Sequence, residues 1–226
     1  MKNFRYAIVA AMLAVLFITA FVAGAGTKTA GAQDTQSKVS YEPIPGGDYQ
    51  IDPAHSTIGF SIRHFEINWV SGRFKDFKGT IRYNDADVTK STVEFTAKIE
   101  SIDTGVEARD KHLRTADFFD AAKYPEMTFK STGIERKGQD SYLLHGDFTL
   151  KGVTKQITLP FTITGAIKDS RGNTRFGINA QTRINRRDYG ITYGNAMTNG
   201  GLDVGNEVRI NLQLEALKPA PKTGGQ

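Results

Sequence analysis

The segment STVEFTAKIES, residues 91–101, alternates without a break: Val93, Phe95, Ala97 and Ile99 fall on one side, and Thr92, Glu94, Thr96, Lys98 and Glu100 on the other. A period of two over this length specifies a half-buried β-strand and excludes an amphipathic helix. The same pattern recurs at Tyr142–Leu150, Ile157–Ile163, Phe176–Ile184 and Val208–Leu214. Upstream, Val70, Gly72 and Phe74 sit on even positions whereas Phe77, Gly79, Ile81 and Tyr83 sit on odd ones, so the chain is expected to bulge or bend near Asp76 within one long strand. Turn-forming clusters at 84–87, 136–140, 151–152 and 169–173 separate the runs.

About eight short-linked strands describe an all-β fold, an antiparallel sheet that closes into a barrel. Charge decides which side is inside. Glu94, Lys98 and Glu100 share the polar face, and basic groups facing hydrocarbon would each cost ~2–4 kcal/mol at mid-depth. The barrel is therefore polar outside and apolar inside. An eight-stranded barrel is either filled by its side chains or holds one small ligand, and the pattern leaves both open. Phe60, Ile62, Val93, Phe95, Leu144, Phe148, Ile178 and Ile210 form the inward apolar set in either case.

One stretch breaks the alternation. Residues 103–126 read as a helical or irregular insert, with Thr104 placed to cap a short helix through Arg114 and Pro125 marking its latest end. Arg109, Asp110, His112 and Arg114 crowd polar groups into six residues of it. Two readings stand: a site for a phosphate or quinone oxygen, or a solvated helix with an internal Arg–Asp pair. Phe118 and Phe119 are expected to plug a barrel end.

The N-terminal 1–32 has the order of an export signal: Lys2 and Arg5, an apolar run from Tyr6 to Ala23, then small-residue triplets at 23–25 and 30–32. The run is close to the ~18 residues that could span a bilayer, so cleavage and retention as an anchor are both open. A periplasmic or secreted barrel follows in the first case and a membrane-anchored one in the second. Residues 33–46 read as a flexible tether, 47–217 as the folded domain and 218–226 as a disordered tail.

Removing 1–32 takes three basic residues and no acidic one, so the formal charge of +5 falls to +2. A near-neutral domain without a basic block offers nucleic acid no footing. The chain has no cysteine, which removes disulfides, thiolate nucleophiles and sulfur-ligated zinc. Its four histidines, His55, His64, His112 and His145, lack the short spacings of a zinc site, so no metal is expected. No GxSxG or SxxK occurs. Ser56 and His55 are adjacent, and neighbours on a strand face opposite ways, so no catalytic residue is assigned. Arg186 and Arg187 precede Asp188 and read most simply as a strand-end salt bridge.

Several blocks together carry a resemblance: DPAHSTIGFSIRHF, VSGRFKDFKGTI, IDTGVEARDKHLRTADFFDAAKYPEMTF, GDFTLKGVTKQITLPF and NRRDYGI. In this order, over 49–217, they resemble the YceI-like, polyisoprenoid-binding family. The resemblance implies a lipocalin-like barrel exported in many bacteria, whose apolar pore takes a long amphiphile such as a prenyl pyrophosphate, a quinone or a fatty-acid derivative. That amphiphile is a non-covalent ligand; no cofactor is implied. The eight inward residues above then become cavity lining, and His64, Arg109, His112 and Arg114 candidate head-group contacts. A membrane b-type cytochrome partner rests on family analogy alone, and the oligomeric state is open. Two other functions remain: an enzyme acting on a prenyl or fatty-acyl lipid, and a stress-response or structural barrel with a packed core.

Overall fold

The computed structural model describes residues 40–221. The expected export signal, the first half of the tether and the last five residues lie outside them. The strands are, in chain order, β1 (Gly47–Ile51), β2 (Thr57–His64), β3 (Asn68–Phe74), β4 (Phe77–Tyr83), β5 (Thr92–Lys98) and β6 (Ile102–Asp103). After the helix α1 (Glu107–Arg114) come β7 (Glu126–Arg136), β8 (Ser141–Leu150), β9 (Val153–Ile163), β10 (Ile167–Lys168), β11 (Thr174–Asn185) and β12 (Val204–Lys218). Among the described residues no helix is long and apolar enough to cross a membrane.

Eight strands close an antiparallel barrel in the order β1-β4-β5-β7-β8-β9-β11-β12, with β12 returning to β1. The long β12 makes closure possible. Its C-terminal part pairs with β1 (Ile51 opposite Ala216), and its N-terminal part with β2 (Ile58 opposite Leu212). β1 and β2 are thus two halves of one strand, kinked at 52–56. β3 and β4 repeat the arrangement one strand over, on β2 and β1 respectively. The parity change near Asp76 marks this corner, a break between two strands rather than a bulge inside one. A second correction concerns 91–101: the strand stops at Lys98, where a 3₁₀ turn, Ile99–Ser101, carries the chain away from β7 onto β3 as β6. The insert fills the gap that opens there.

Both limits of the domain extend past the expected ones. Glu42 and Ala166 exchange backbone hydrogen bonds of 2.9 and 2.8 Å, and Ile44 is buried, so 42–46 is docked and not a free tether. At the other end β12 includes Lys218, and the Ala220 N–H donates to Asn173 Oδ1 (3.0 Å).

One end of the barrel is filled. Tyr49, wholly buried, meets Phe176 edge-on at 4.9 Å and Tyr83 at 6.5 Å, and its hydroxyl donates to Pro45 O (2.7 Å). These aromatic contacts close the floor with burial plus edge-to-face attraction. The opposite end carries the β2–β3 hairpin, α1 and the loop 190–203, and is the mouth.

Candidate functional site

The interior is a cavity of about 450 Å³, within the range of ligand pockets and not a packed core. All eight residues of the inward apolar set line it: Phe60, Ile62, Val93, Phe95, Leu144, Phe148, Ile178 and Ile210. Several of them are only half-buried, Phe60, Val93, Phe95, Leu144 and Ile178 among them. The reason is that they face open space, whereas Ala97, Phe176 and Ala216 on the same sheet pack against neighbours and are almost fully enclosed. Along β12 the lining runs from Val204 to Leu214. Ten residues of strand span ~33 Å, or ~25 Å along the axis of a barrel whose strands tilt by about 40°. The cavity is a tunnel, open at the mouth.

Two glycines make room for its walls. A Cβ on Gly72 would meet Thr104 Cγ2 at 2.8 Å and the Phe60 ring, and one on Gly146 would strike the Phe129 ring and Lys130 O at 2.6 Å. Each glycine lets a large aromatic from the neighbouring strand lie flat across it.

Polar groups gather at the mouth. Of the four expected head-group residues, His64, Arg109 and His112 line the cavity and Arg114 does not. Helical spacing explains the split. Arg109, His112 and Leu113, at i, i+3 and i+4, share the face of α1 turned to the cavity, while Asp110 and Arg114 share the other. Arg114 instead donates to Ile102 O (3.2 Å) and lies 3.5 Å from Glu100. Its Nε is buried without a hydrogen-bond partner.

Asp110 is buried and accepts from the Thr104 N–H (2.9 Å) and hydroxyl (2.5 Å). Thr104 therefore does not cap the helix, whose N-cap is Val106. Arg109 completes the knot, donating from Nε to Thr104 Oγ1 (2.8 Å) and from Nη2 to Thr104 O (2.9 Å). No Arg–Asp pair forms within the described helix.

His112 donates one hydrogen bond from Nε2 to Asp117 (2.8 Å), and its ring stands edge-on to Phe118 and Tyr193 at 5.1 and 5.0 Å. Phe118 and Phe119 both line the cavity at this end, and Phe119 packs edge-on to Phe74.

Arg186 corrects another expectation. It is almost fully buried, lines the cavity and pairs with no carboxylate among the described residues. Its guanidinium donates to three backbone carbonyls: Gly205 (2.7 Å), Ile191 (2.9 Å) and Val204 (3.0 Å). These lie at the two ends of the mouth loop, which one side chain thus pins together. Burial first, then the nearby Arg187, holds its pKa below the ordinary arginine value. Arg187 is exposed and bonds Asn206 (2.8 Å).

Arg63, His64, Arg109, His112 and Arg186 all line the cavity, and no described lining residue is an Asp or Glu. The tunnel is thus apolar along its length, and near the mouth its described lining carries basic side chains and no acidic one.

At the filled end, Asp52, His55 and Glu215 bring three ligating atoms within 4.8 Å of one another. Arg175 already occupies that position, bonded to Asp52 and Asp169 (both 2.8 Å) and to Glu215. His55 bonds Asp52 (2.9 Å) and stays exposed, a local anchor of the β1–β2 kink. His145 lies on the outer face between Thr158 (2.9 Å) and Glu135 (3.1 Å). The imidazoles thus occupy three separate places: His55 at the filled end, His145 on the outer face, and His64 and His112 at the mouth.

Residues 49–216 match the family described as YceI-like domain. The chain belongs to the YceI-like family. It is 40% identical over 146 residues to Protein YceI of Escherichia coli, covering 64% of this chain and 76% of that protein. A protein of Azotobacter vinelandii is 38% identical over the same length. The crystal structure of the Campylobacter jejuni YceI protein is 32% identical, with a TM-score of 0.61 over 75% of this chain and 96% of its own. A polyisoprenoid binding domain from Saccharophagus degradans, 18% identical, shares the fold alone, with a TM-score of 0.57 over 76% and 98%. The YceI-like barrel is therefore common to these proteins.

The basic cluster escaped sequence reasoning in part. Arg63 sits on an outward-facing position of β2, and Arg186 binds only main-chain atoms. Neither leaves a side-chain pattern. The lone available signal was a basic residue where a strand ends at Asn185.

Proposed function

We propose that the protein binds one long-chain amphiphile of isoprenoid type, tail in the tunnel and polar head at the mouth, and acts as its carrier. What supports this reading is the single observation that the described lining is apolar along the bore and carries the basic side chains His64, Arg109, His112 and Arg186 but no Asp or Glu. The tail provides affinity. Each buried methylene contributes about 0.8 kcal/mol, so ten contribute about 8 kcal/mol and twenty about 16. Association costs roughly 4–15 kcal/mol in lost freedom, so only a tail that uses most of the tunnel binds firmly.

The cations then select the head. Arg109 has one Nη atom free of the Thr104 knot, and His64 and His112 stand on the same rim. A phosphate or pyrophosphate gains charge-assisted hydrogen bonds from such a set, whereas a neutral quinone gains only ordinary ones. The reading assigns no reaction and no cofactor. Export from the cytoplasm is part of it, on the strength of the N-terminal pattern.

Competition against a fluorescent prenyl ligand tests the head-group reading. A prenyl pyrophosphate is expected to bind at least ~10-fold more tightly than the prenol of equal length, and Arg109→Gln to narrow the gap. Equal affinities for the two would refute an anionic head.

A further inference from the structure

An amphiphile that fits this tunnel is too apolar to cross water freely, so the mouth must meet the phase that holds it. Large apolar side chains exposed among the described residues are few: Tyr41, Phe65, Ile67, Val106, Ile167 and Tyr193. Four of the six stand around the mouth. Phe65 (45% exposed) and Ile67 (79%) form the tip of the β2–β3 hairpin, Val106 caps α1, and Tyr193 lies on the loop 190–203. The three segments form one rim. Phe65 N–H donates to Asp203 O (2.9 Å) on the loop, and Tyr193 of the loop packs at a tilt against Phe118 of the insert, ring centroids 4.6 Å apart.

The hairpin tip is unusual in composition. Ile67 N–H donates to His64 O (3.1 Å), and both residues between, Phe65 and Glu66, have positive φ (52° and 58°). Asn and Gly are the ordinary occupants of such a turn. A phenylalanine held there packs one side of its ring on His64 (centroids 4.1 Å) and leaves the rest, 45%, exposed, which an Asn or Gly would not do.

Beside the tip, on the outer face, Trp69 lies under two guanidiniums, Arg63 at 4.9 Å and Arg209 at 3.6 Å from the ring centroid. Arg183 is opposite Arg209 in register, and Glu207 is the carboxylate that bridges them. Three arginines against Glu207 and, at the tip itself, the exposed Glu66 leave this patch net positive by one.

We infer that the rim is a membrane-docking surface, in which Phe65 and Ile67 insert into the interface of an anionic phospholipid bilayer. Arg63, Arg183 and Arg209 meet its head groups and Trp69 sits at their level. Apolar tips on a cationic, tryptophan-bearing base are the composition of interfacial anchors. Charge complementarity selects a bilayer carrying negative lipid, whose attraction falls with salt. The inference deepens the carrier reading above: the anchored surface surrounds the tunnel mouth, so a ligand passes between bilayer and bore without crossing water.

Trp69 is the chain's one tryptophan, which makes the test local. The full chain is mixed with vesicles of phosphatidylethanolamine and brominated phosphatidylglycerol, and Trp69 emission is followed. Quenching is expected for the wild type and lost at high salt. The pair Phe65→Asn and Ile67→Ser should weaken it at least ~10-fold. The pair Tyr41→Ser and Ile167→Ser, at the filled end, should leave it unchanged. Absence of quenching in the wild type, equal loss in both pairs, or self-association without vesicles that the tip pair abolishes would each overturn the proposal. Native mass spectrometry of the same samples separates the two readings. Bound amphiphile with no quenching sinks the docking surface alone, and quenching with no amphiphile sinks the carrier alone.

Discussion

Replacing Arg186 by methionine removes a clamp and keeps the bulk. In the wild type three carbonyls, of Ile191, Val204 and Gly205, accept from one guanidinium at 2.7–3.0 Å. Hydrogen bonds to a charged group are each worth about 1.5–3 kcal/mol, and the guanidinium's own desolvation offsets part of their sum. Removing one partner of a buried charged constellation typically costs about 3–5 kcal/mol, because the remaining groups stay buried and unpaired. For a domain of this size about 1 kcal/mol moves Tm by roughly 2–4 °C, so Arg186→Met should lower Tm by roughly 10 °C. Arg186→Lys should recover part of the loss, since an ammonium on a flexible stem does not span three carbonyls at both ends of a loop. Thermal melts by circular dichroism give the global number. Hydrogen exchange gives the local one, with the Ile191 and Asp203 amides, bonded to Arg186 O and Asn195 O, expected to exchange faster. A Tm for Arg186→Met within about 2 °C of wild type would refute the clamp.

Other outcomes follow from the same geometry. Gly146→Val should destabilise by about 1–3 kcal/mol or more, since its Cβ meets the Phe129 ring and Lys130 O; an unchanged denaturation midpoint would show that the wall yields. Asp52 is held down to about 2, by its hydrogen bond from His55 first and from Arg175 second. Its pKa is lower folded than unfolded, so its contribution is complete above the ordinary carboxylate value and disappears as pH falls from about 4 through about 2. Melts across that window should fall steeply for the wild type and less so for Asp52→Asn, and parallel slopes would contradict the linkage.

Much of the barrel was legible because period two is a local property. Val93, Phe95 and Ala97 show their face regardless of what they pair with. Less legible were the corners at 52–56, 75–76 and 99–101, where a strand changes partner while keeping direction. Those depend on β12 being long enough to hold both β1 and β2, a fact of three-dimensional closure. The site divides in the same way. Phe60, Leu144 and Ile210 could be read as inward from alternation, but whether they touch each other or a void depends on barrel circumference. On α1 the polar residues and their relative faces were visible, but not which face meets the tunnel, since that is set by docking: Asp110 on Thr104 and Arg114 on Ile102 O leave Arg109 and His112 toward the bore. Arg186 was readable only as a charge. Its partners are carbonyls, and main-chain atoms have no sequence signature.

The carrier reading depends on the tunnel holding a lipid in the cell. Native mass spectrometry of protein isolated from its own membranes-containing extract measures this directly, with Ile178→Trp, which fills the bore from the wall, as the companion. The expected spectrum shows one amphiphile per wild-type chain, a mass difference matching a long-tailed prenyl compound, and none on Ile178→Trp. Wild-type chains found empty in repeated preparations, or an adduct that survives equally on Ile178→Trp, would contradict it.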